Sequence, residues 1–191
     1  MKILPAVILL TIVISGCSAT RPANQLTVVS DGHHGIAVVA LETLVLVDTR
    51  FTERESTENS NGTSWLFTDY ESQPDQEFII VFLGTAKLPE LPEGASEINT
   101  PIGPAFEHFF AAELSRLSLD KLSEKHGFTA PACGYGRQLL FDAQDARKYL
   151  SVTYIEGEPC ASAFQHGGEF ESLRRSMVRT RAETVVKLKA L

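Results

Sequence analysis

The strongest constraint on this chain lies at its amino terminus, where Ile3 to Ile14 (ILPAVILLTIVI) is apolar and carries no ionisable side chain. Lys2 precedes this run and Ser15-Gly16-Cys17 closes it. A charged start, a short apolar core and a small-residue end mark a secretory signal rather than part of a folded domain. Spanning a bilayer takes about 20 apolar residues, and this run is several residues short. Pro5 and the polar Ser-Gly-Cys-Ser end also suit a buried helix poorly. Residues 1–16 are therefore expected to be removed, which leaves residues 17–191 to build one ordinary domain with its own core.

Ile14-Ser15-Gly16-Cys17 resembles the lipobox of bacterial lipoproteins, in which an aliphatic residue, a small residue and Gly or Ala precede the cysteine. Ile14 departs from the usual Leu; the other three positions match. The resemblance implies cleavage after Gly16, diacylglycerol on the Cys17 sulfur and a further acyl chain, such as palmitate, on the new amino terminus. Two or more acyl chains make membrane attachment effectively stable. Ser18 after the cysteine resembles the pattern of lipoproteins sent on to the outer membrane, facing the periplasm. The resemblance covers the first seventeen residues and says nothing of the domain behind them. Residues 17–25, with the polar SATRPANQ run, read as lipidated cysteine and tether, and residues 26–191 as a single periplasmic domain.

Three cysteines are present, and assigning Cys17 to lipid leaves Cys133 and Cys160 as a pair in an oxidising compartment, where disulfides persist. If Cys133–Phe141 and Leu150–Cys160 are antiparallel strands and the cysteines face each other, one face pairs Phe141 with Val152 and Leu139 with Tyr154. The same register sets Arg137 opposite Glu156 and Tyr135 opposite Glu158, a combination that suits one sheet face. A helix over Asp142–Tyr149 would break that register and still allow the bridge.

Leu26–Ser30 and Ile36–Phe51 read as strands, with a turn at Asp31-Gly32-His33-His34-Gly35. Trp65–Tyr70 and Phe78–Leu83 read as further strands, Glu53–Gly62 as a polar loop, and Leu88–Pro104 as irregular surface. Phe106, Phe109, Phe110, Leu114 and Leu117 fall near a 3.6-residue stripe, predicting a helix from Ala105. A second short helix is expected at Leu119–His126, capped by Gly127 in the left-handed conformation. Glu169–Leu191 is expected to be helical, with Phe170, Leu173, Met177, Val185 and Leu188 as its apolar stripe and Arg181 interrupting it. The fold class that follows is α+β: an antiparallel sheet including a disulfide-linked hairpin, with helices packed on one side.

Charge and motifs limit the chemistry. The mature chain has 16 Lys+Arg against 24 Asp+Glu, which speaks against nucleic-acid binding. Residues 169–191 hold six basic residues against three acids, so the tail carries +3 and the rest of the mature chain −11. This asymmetry marks either a partner surface or a helix face complementing an acidic body. Adjacent His33 and His34, with His166, are candidate metal ligands, but their spacing matches no strong zinc pattern and a solvent-facing turn explains the pair as well. No HExxH, GxSxG or phosphate-cradling loop is present, so no catalytic residue, cofactor or metal site is assigned. The expected function is a lipid-anchored envelope protein acting as a non-enzymatic binding or assembly module for a protein or cell-wall partner. An enzyme or metal-binding protein using His33, His34 or His166, and a small-molecule or lipid carrier, are the alternatives. An exposed apolar or charged patch would favour the first reading and a deep apolar pocket the last.

Overall fold

The computed structural model describes residues 44–69, 76–85, 87–117, 119–143, 148–165 and 167–188. Cys17, the tether, Leu26–Ser30, the turn around His33 and His34, residues 36–43 and His166 lie outside the described residues; of the expected strand Ile36–Phe51, the described part is strand only over Leu44–Leu46 and turns at Thr49 and Arg50. The strands are β1 (Leu44–Leu46), β2 (Thr52–Asn59), β3 (Gly62–Asp69), β4 (Glu77–Gly84), β5 (Ser96–Thr100), β6 (Gly103–Glu113), β7 (Cys133–Ala143), β8 (Lys148–Glu158) and β9 (Val186–Leu188). The helices are α1 (Leu119–His126), α2 (Cys160–Ala163) and α3 (Gly168–Val185), and a 3-10 turn spans Leu114–Leu117.

Seven strands form one sheet in the order β2-β3-β4-β8-β7-β6-β5, with every neighbouring pair antiparallel. Two meanders, β2 to β4 and β5 to β8, are joined where β4 pairs with β8. The α+β class and the disulfide-linked hairpin are as expected from the sequence. Alternation along the strands gives the sheet two unlike faces. One carries Trp65, Phe67, Ile79, Val81, Leu139, Val152 and Leu150, packed with Val178, Ala182 and Val185 of α3 and with the small β1–β9 ribbon. The other carries Leu66, Phe78 and Ile155, covered by Leu114, Leu119, Leu122 and Phe128. The helices are thus divided, α3 on the first face and α1 on the second.

Several elements differ from the sequence reading, each for a stated reason. The segment 103–113 is a strand, not a helix: its aromatic spacing satisfies both periods, and pairing along β7 decides between them. Glu53–Gly62 is not a loop. Most of it is the edge strand β2, whose charges and register shift between Glu53 and Glu55 protect an exposed edge. Within Leu88–Pro104, Ser96–Thr100 forms the opposite edge, also short and polar. The last helix stops at Val185, and Val186–Leu188 turns into a strand against β1 instead of continuing the helix. α1 forms where expected, and the Gly127 amide donates to the Ser123 carbonyl at 2.8 Å with Gly127 at φ +73°.

The cysteine hairpin is correct in partner and face and shifted in register. Cys133 bonds Cys160, but its partner across the ladder is Glu158, so Tyr135 faces Glu156, Arg137 faces Tyr154, Leu139 faces Val152 and Phe141 faces Leu150. Pro159 ends the strand, and Cys160 reaches back from the first position of α2 with its Cα 5.0 Å from that of Cys133. A shift of two residues keeps every side chain on its face. The neighbouring glycines are there for close approach: a Cβ on Gly136 would lie 2.7 Å from the Tyr154 carbonyl oxygen, and on Gly134 2.8 Å from that of Glu156.

The bridge spans a sequence separation of 27 residues. Closing a loop of that size restricts the unfolded chain by about 3.5 kcal/mol. Reduction, or replacement of both cysteines by alanine, is expected to lower the urea midpoint by that equivalent while the native circular dichroism persists at low denaturant. Free labelling of both thiols in native, unreduced protein would contradict the pairing.

Candidate functional site

The α3 face of the sheet is not uniformly apolar. The alternation that buries Phe67 and Ile79 also turns Asp69, Glu77, Glu107, Arg137 and Glu156 inward. Glu107 is 2% exposed and Arg137 5%. A buried carboxylate without a partner is too costly to persist, so each must be paired or protonated.

Arginines supply most of the pairing. Arg137 Nε donates to Glu107 Oε1 at 2.7 Å, and Arg179 from α3 closes on both oxygens of the same carboxylate. Arg181 grips Glu77 bidentately, at 2.6 Å from Nε to Oε1 and 2.6 Å from Nη2 to Oε2, and also reaches Asp48 at 3.3 Å. Arg174 lies 3.7 Å above the Tyr135 ring, donates to the Ser162 and Ala163 carbonyls and pairs with Glu158. Arg175 and Arg179 lie over Phe109. Glu171 accepts from Tyr135 Oη at 2.7 Å. The amino-terminal half of α3 is therefore held by charges, hydrogen bonds and cation–π contacts; its buried apolar residues, Val178, Ala182 and Val185, come later. Burial pushes the Glu107 carboxyl up, but the hydrogen bonds and charges of Arg179 and Arg137 outweigh this and hold it below its usual value. The Arg50 hydrogen bond holds Asp48 at about 2.

Glu156 behaves differently. Tyr154 Oη contacts both Glu77 Oε1 and Glu156 Oε1, the latter at 3.0 Å. A phenol has one proton and can donate to only one carboxylate. The two carboxylates compete for it, and Glu77 has the bidentate Arg181 contact besides. Burial raises the Glu156 pKa first and the Glu77 charge adds to it, against the opposing pull of the Tyr154 contact. Glu156 lines a cleft of about 660 Å³ with Arg50, Glu77, Glu158, Arg174 and Arg181, and Met177 stands on its rim. The cleft can hold a proton at Glu156 and present guanidinium groups to a partner's polar groups.

The charged inner face leaves apolar side chains outside. Phe170, Leu173 and Met177 are expected from the sequence to face the core; they are instead 49%, 62% and 62% exposed. They follow i, i+3, i+7 spacing and form one ridge, with Phe164 exposed just before the helix. Arg181 does not interrupt an inward stripe. It belongs to the inward side, because buried Glu77 needs it.

Of the residues singled out from sequence, Cys133 and Cys160 are brought together, while Cys17, His33, His34 and His166 lie outside the described residues. No group of three or more His, Cys, Asp or Glu suited to a metal ion occurs among the described residues. No described helix is long and apolar enough to cross a membrane. Phe109 faces the arginines of α3, and Phe110 packs in the cluster on the opposite sheet face. Glu77 and Glu107 went unnoticed in the sequence, while Tyr154 and Glu156 were placed on one sheet face and Arg174 and Arg179 in the basic tail without being joined into a site. The signal was acids at inward positions of apolar strands, as at Glu107 between Ala105 and Phe109, together with the basic tail. No protein-family model matches this chain, and no curated protein matches it significantly.

The upward shift at Glu156 fixes a sign for pH dependence. A carboxyl whose folded pKa is raised contributes stability that is full below its usual value, about 4.3, and is lost as the pH rises through the folded value. Glu156→Gln imitates the protonated form at every pH. In urea titrations the stability difference is expected to move in favour of Glu156→Gln between pH 4 and pH 7.5. A pH-independent difference, or one moving the other way, would place the proton elsewhere.

Proposed function

We propose that this protein is a lipid-anchored module of the bacterial envelope, non-enzymatic, held at the outer membrane through Cys17, and that α3 docks a partner protein. The observation that supports docking is the ridge of Phe170, Leu173 and Met177. Of the seven large hydrophobic side chains exposed among the described residues, four lie between Phe164 and Met177. Clustered exposed apolar residues beside a charged cleft mark interaction surfaces rather than ordinary surface scatter. Their i, i+3, i+7 spacing is that of helices seated in an apolar groove, so the partner is a protein offering such a groove. Arg174, Arg181 and Glu158 at the neighbouring cleft provide a polar rim. The lipobox-like segment supports the anchor, and the acidic body of the chain argues against nucleic acid.

The test is made in intact cells. Wild type is expected to incorporate labelled palmitate and to fractionate with membranes, and Cys17→Ala to do neither. A photocrosslinking residue at Leu173 is expected to yield a discrete protein adduct that Met177→Glu abolishes. The same probe at Lys121, exposed on α1, is expected to yield none. Equal lipid labelling of wild type and Cys17→Ala would overturn the anchor. Adducts at Leu173 no different from those at Lys121 would overturn the docking ridge.

A further inference from the structure

The sheet face opposite the charged cleft holds a second concavity, of about 610 Å³. Five strands, β3, β4, β8, β7 and β6, contribute to its floor. Ring pairs stand at either end, Phe82 with Tyr149 at 5.6 Å and His108 with Phe110 at 5.9 Å. Phe82 is on β4 and His108 on β6, with β8 and β7 between them. Three strand spacings separate the two ends, about 14 Å. Between the rings the floor carries Ile80 and Leu140 with a short polar row, in which Gln138 Nε2 donates to Ser151 Oγ at 3.0 Å and Thr153 lies 3.5 Å further on. Pro89 and Pro92 form one wall and Leu117 another. Leu91 and Leu117, beside this cleft, are two of the four exposed large hydrophobics among the described residues that do not belong to the α3 ridge.

The chemistry of this cleft is the reverse of the first. Glu90 is the only Asp, Glu, Lys or Arg among its lining residues, and it stands on the wall segment rather than the floor. Burial, and then the Arg175 charge, push the His108 pKa down, so the imidazole enters neutral pH uncharged. Tyr149 lies against Gly84, where a Cβ would fall 2.2 Å from the ring, so a glycine keeps that ring flat on the sheet. A concave site of this volume, mostly apolar with a few convergent polar groups, has the proportions of a small-molecule site.

We propose that this cleft binds a neutral, elongated, mainly apolar molecule, held by rings at both ends and by the Gln138–Ser151 pair near its middle. A charged ligand finds no counter-ion on the floor, and removing its charge from water would go uncompensated. The length between the ring pairs excludes a compact ligand as the best fit. A fused aromatic system and an aliphatic chain share the required chemistry, and the experiment separates them. The site is independent of the α3 ridge, which lies on the other side of the sheet.

The probe is N-phenyl-1-naphthylamine, neutral and fluorescent in apolar surroundings, titrated into the mature full-length protein. Saturable enhancement at one site per chain is expected. His108→Glu and, separately, Tyr149→Ala are each expected to weaken it at least 10-fold at pH 7, with folding checked by circular dichroism. Leu173→Glu, on the docking ridge, is expected to leave it unchanged. Displacement by 1-decanol identifies a chain-binding site, and displacement by 2-naphthylmethanol a ring-binding one; decanoate is expected to compete far less than decanol. No saturable binding, or binding lost in Leu173→Glu but retained in the folded His108→Glu and Tyr149→Ala variants, would overturn the proposal.

Discussion

The burial of Glu77 and Glu107 on the inner face of the sheet is the constraint on which the rest of the structure depends. Removing an ion from water costs several kcal/mol even after relaxation, and only close, well-directed partners offset it. The partners are Arg137 on the sheet and Arg179 and Arg181 on α3. These pairs decide how α3 is rotated. With arginines turned inward at 174, 179 and 181, the helix has no choice but to present Phe170, Leu173 and Met177 outward. The exposed apolar ridge is in this sense a by-product of charge neutralisation beneath it. Such pairs bring little net stability over an apolar packing of the same volume. What they supply is a defined rotation and register, since removing one partner strands a buried charge.

The same constraint explains why the two sides of the sheet differ. On the α3 side, closely spaced carboxylates on β4 and β8 share a tyrosine, and burial pushes the pKa of one of them, Glu156, upward. On the other side, among the described residues, the floor holds no Asp, Glu, Lys or Arg, and α1 and the 3-10 turn pack on part of the apolar strand positions. One face therefore carries a helix beside an ionic cleft, and the other a ring-lined hollow. Both stand on a sheet whose edge strands, β2 and β5, are polar.

The sequence was legible where one period or one residue type decides local structure. The β3, β4, β7 and β8 strands, α1 with its Gly127 cap, and the cysteine pair all follow from such signals. It was misleading where two readings share a pattern. Phe106, Phe109 and Phe110 fit a helix or a strand, and only pairing with β7 chooses. The polar run at 52–59 reads as a loop until its place at a sheet edge is known. The register of the hairpin missed by two because Pro159 moves Cys160 out of the strand, a detail of chain ends rather than of pattern. The α3 stripe failed for a deeper reason. Hydrophobic periodicity presumes an apolar surface to pack on, and here the surface that receives the helix is ionic. The acids responsible sit on strands far away in sequence, and the residue that seemed to interrupt the stripe, Arg181, was the one aligning it.

The rotation of α3 is the central claim, and it can be measured residue by residue. Single cysteines placed at Leu173, Met177, Val178 and Ala182 would be labelled with a maleimide in native protein, with the Cys133–Cys160 bridge left oxidised. The account predicts rapid labelling at 173 and 177, and labelling at 178 and 182 only in denaturant. Fast reaction at 178 and 182 with protection at 173 and 177 would show the helix turned with its apolar ridge inward, and would contradict the ionic docking described here.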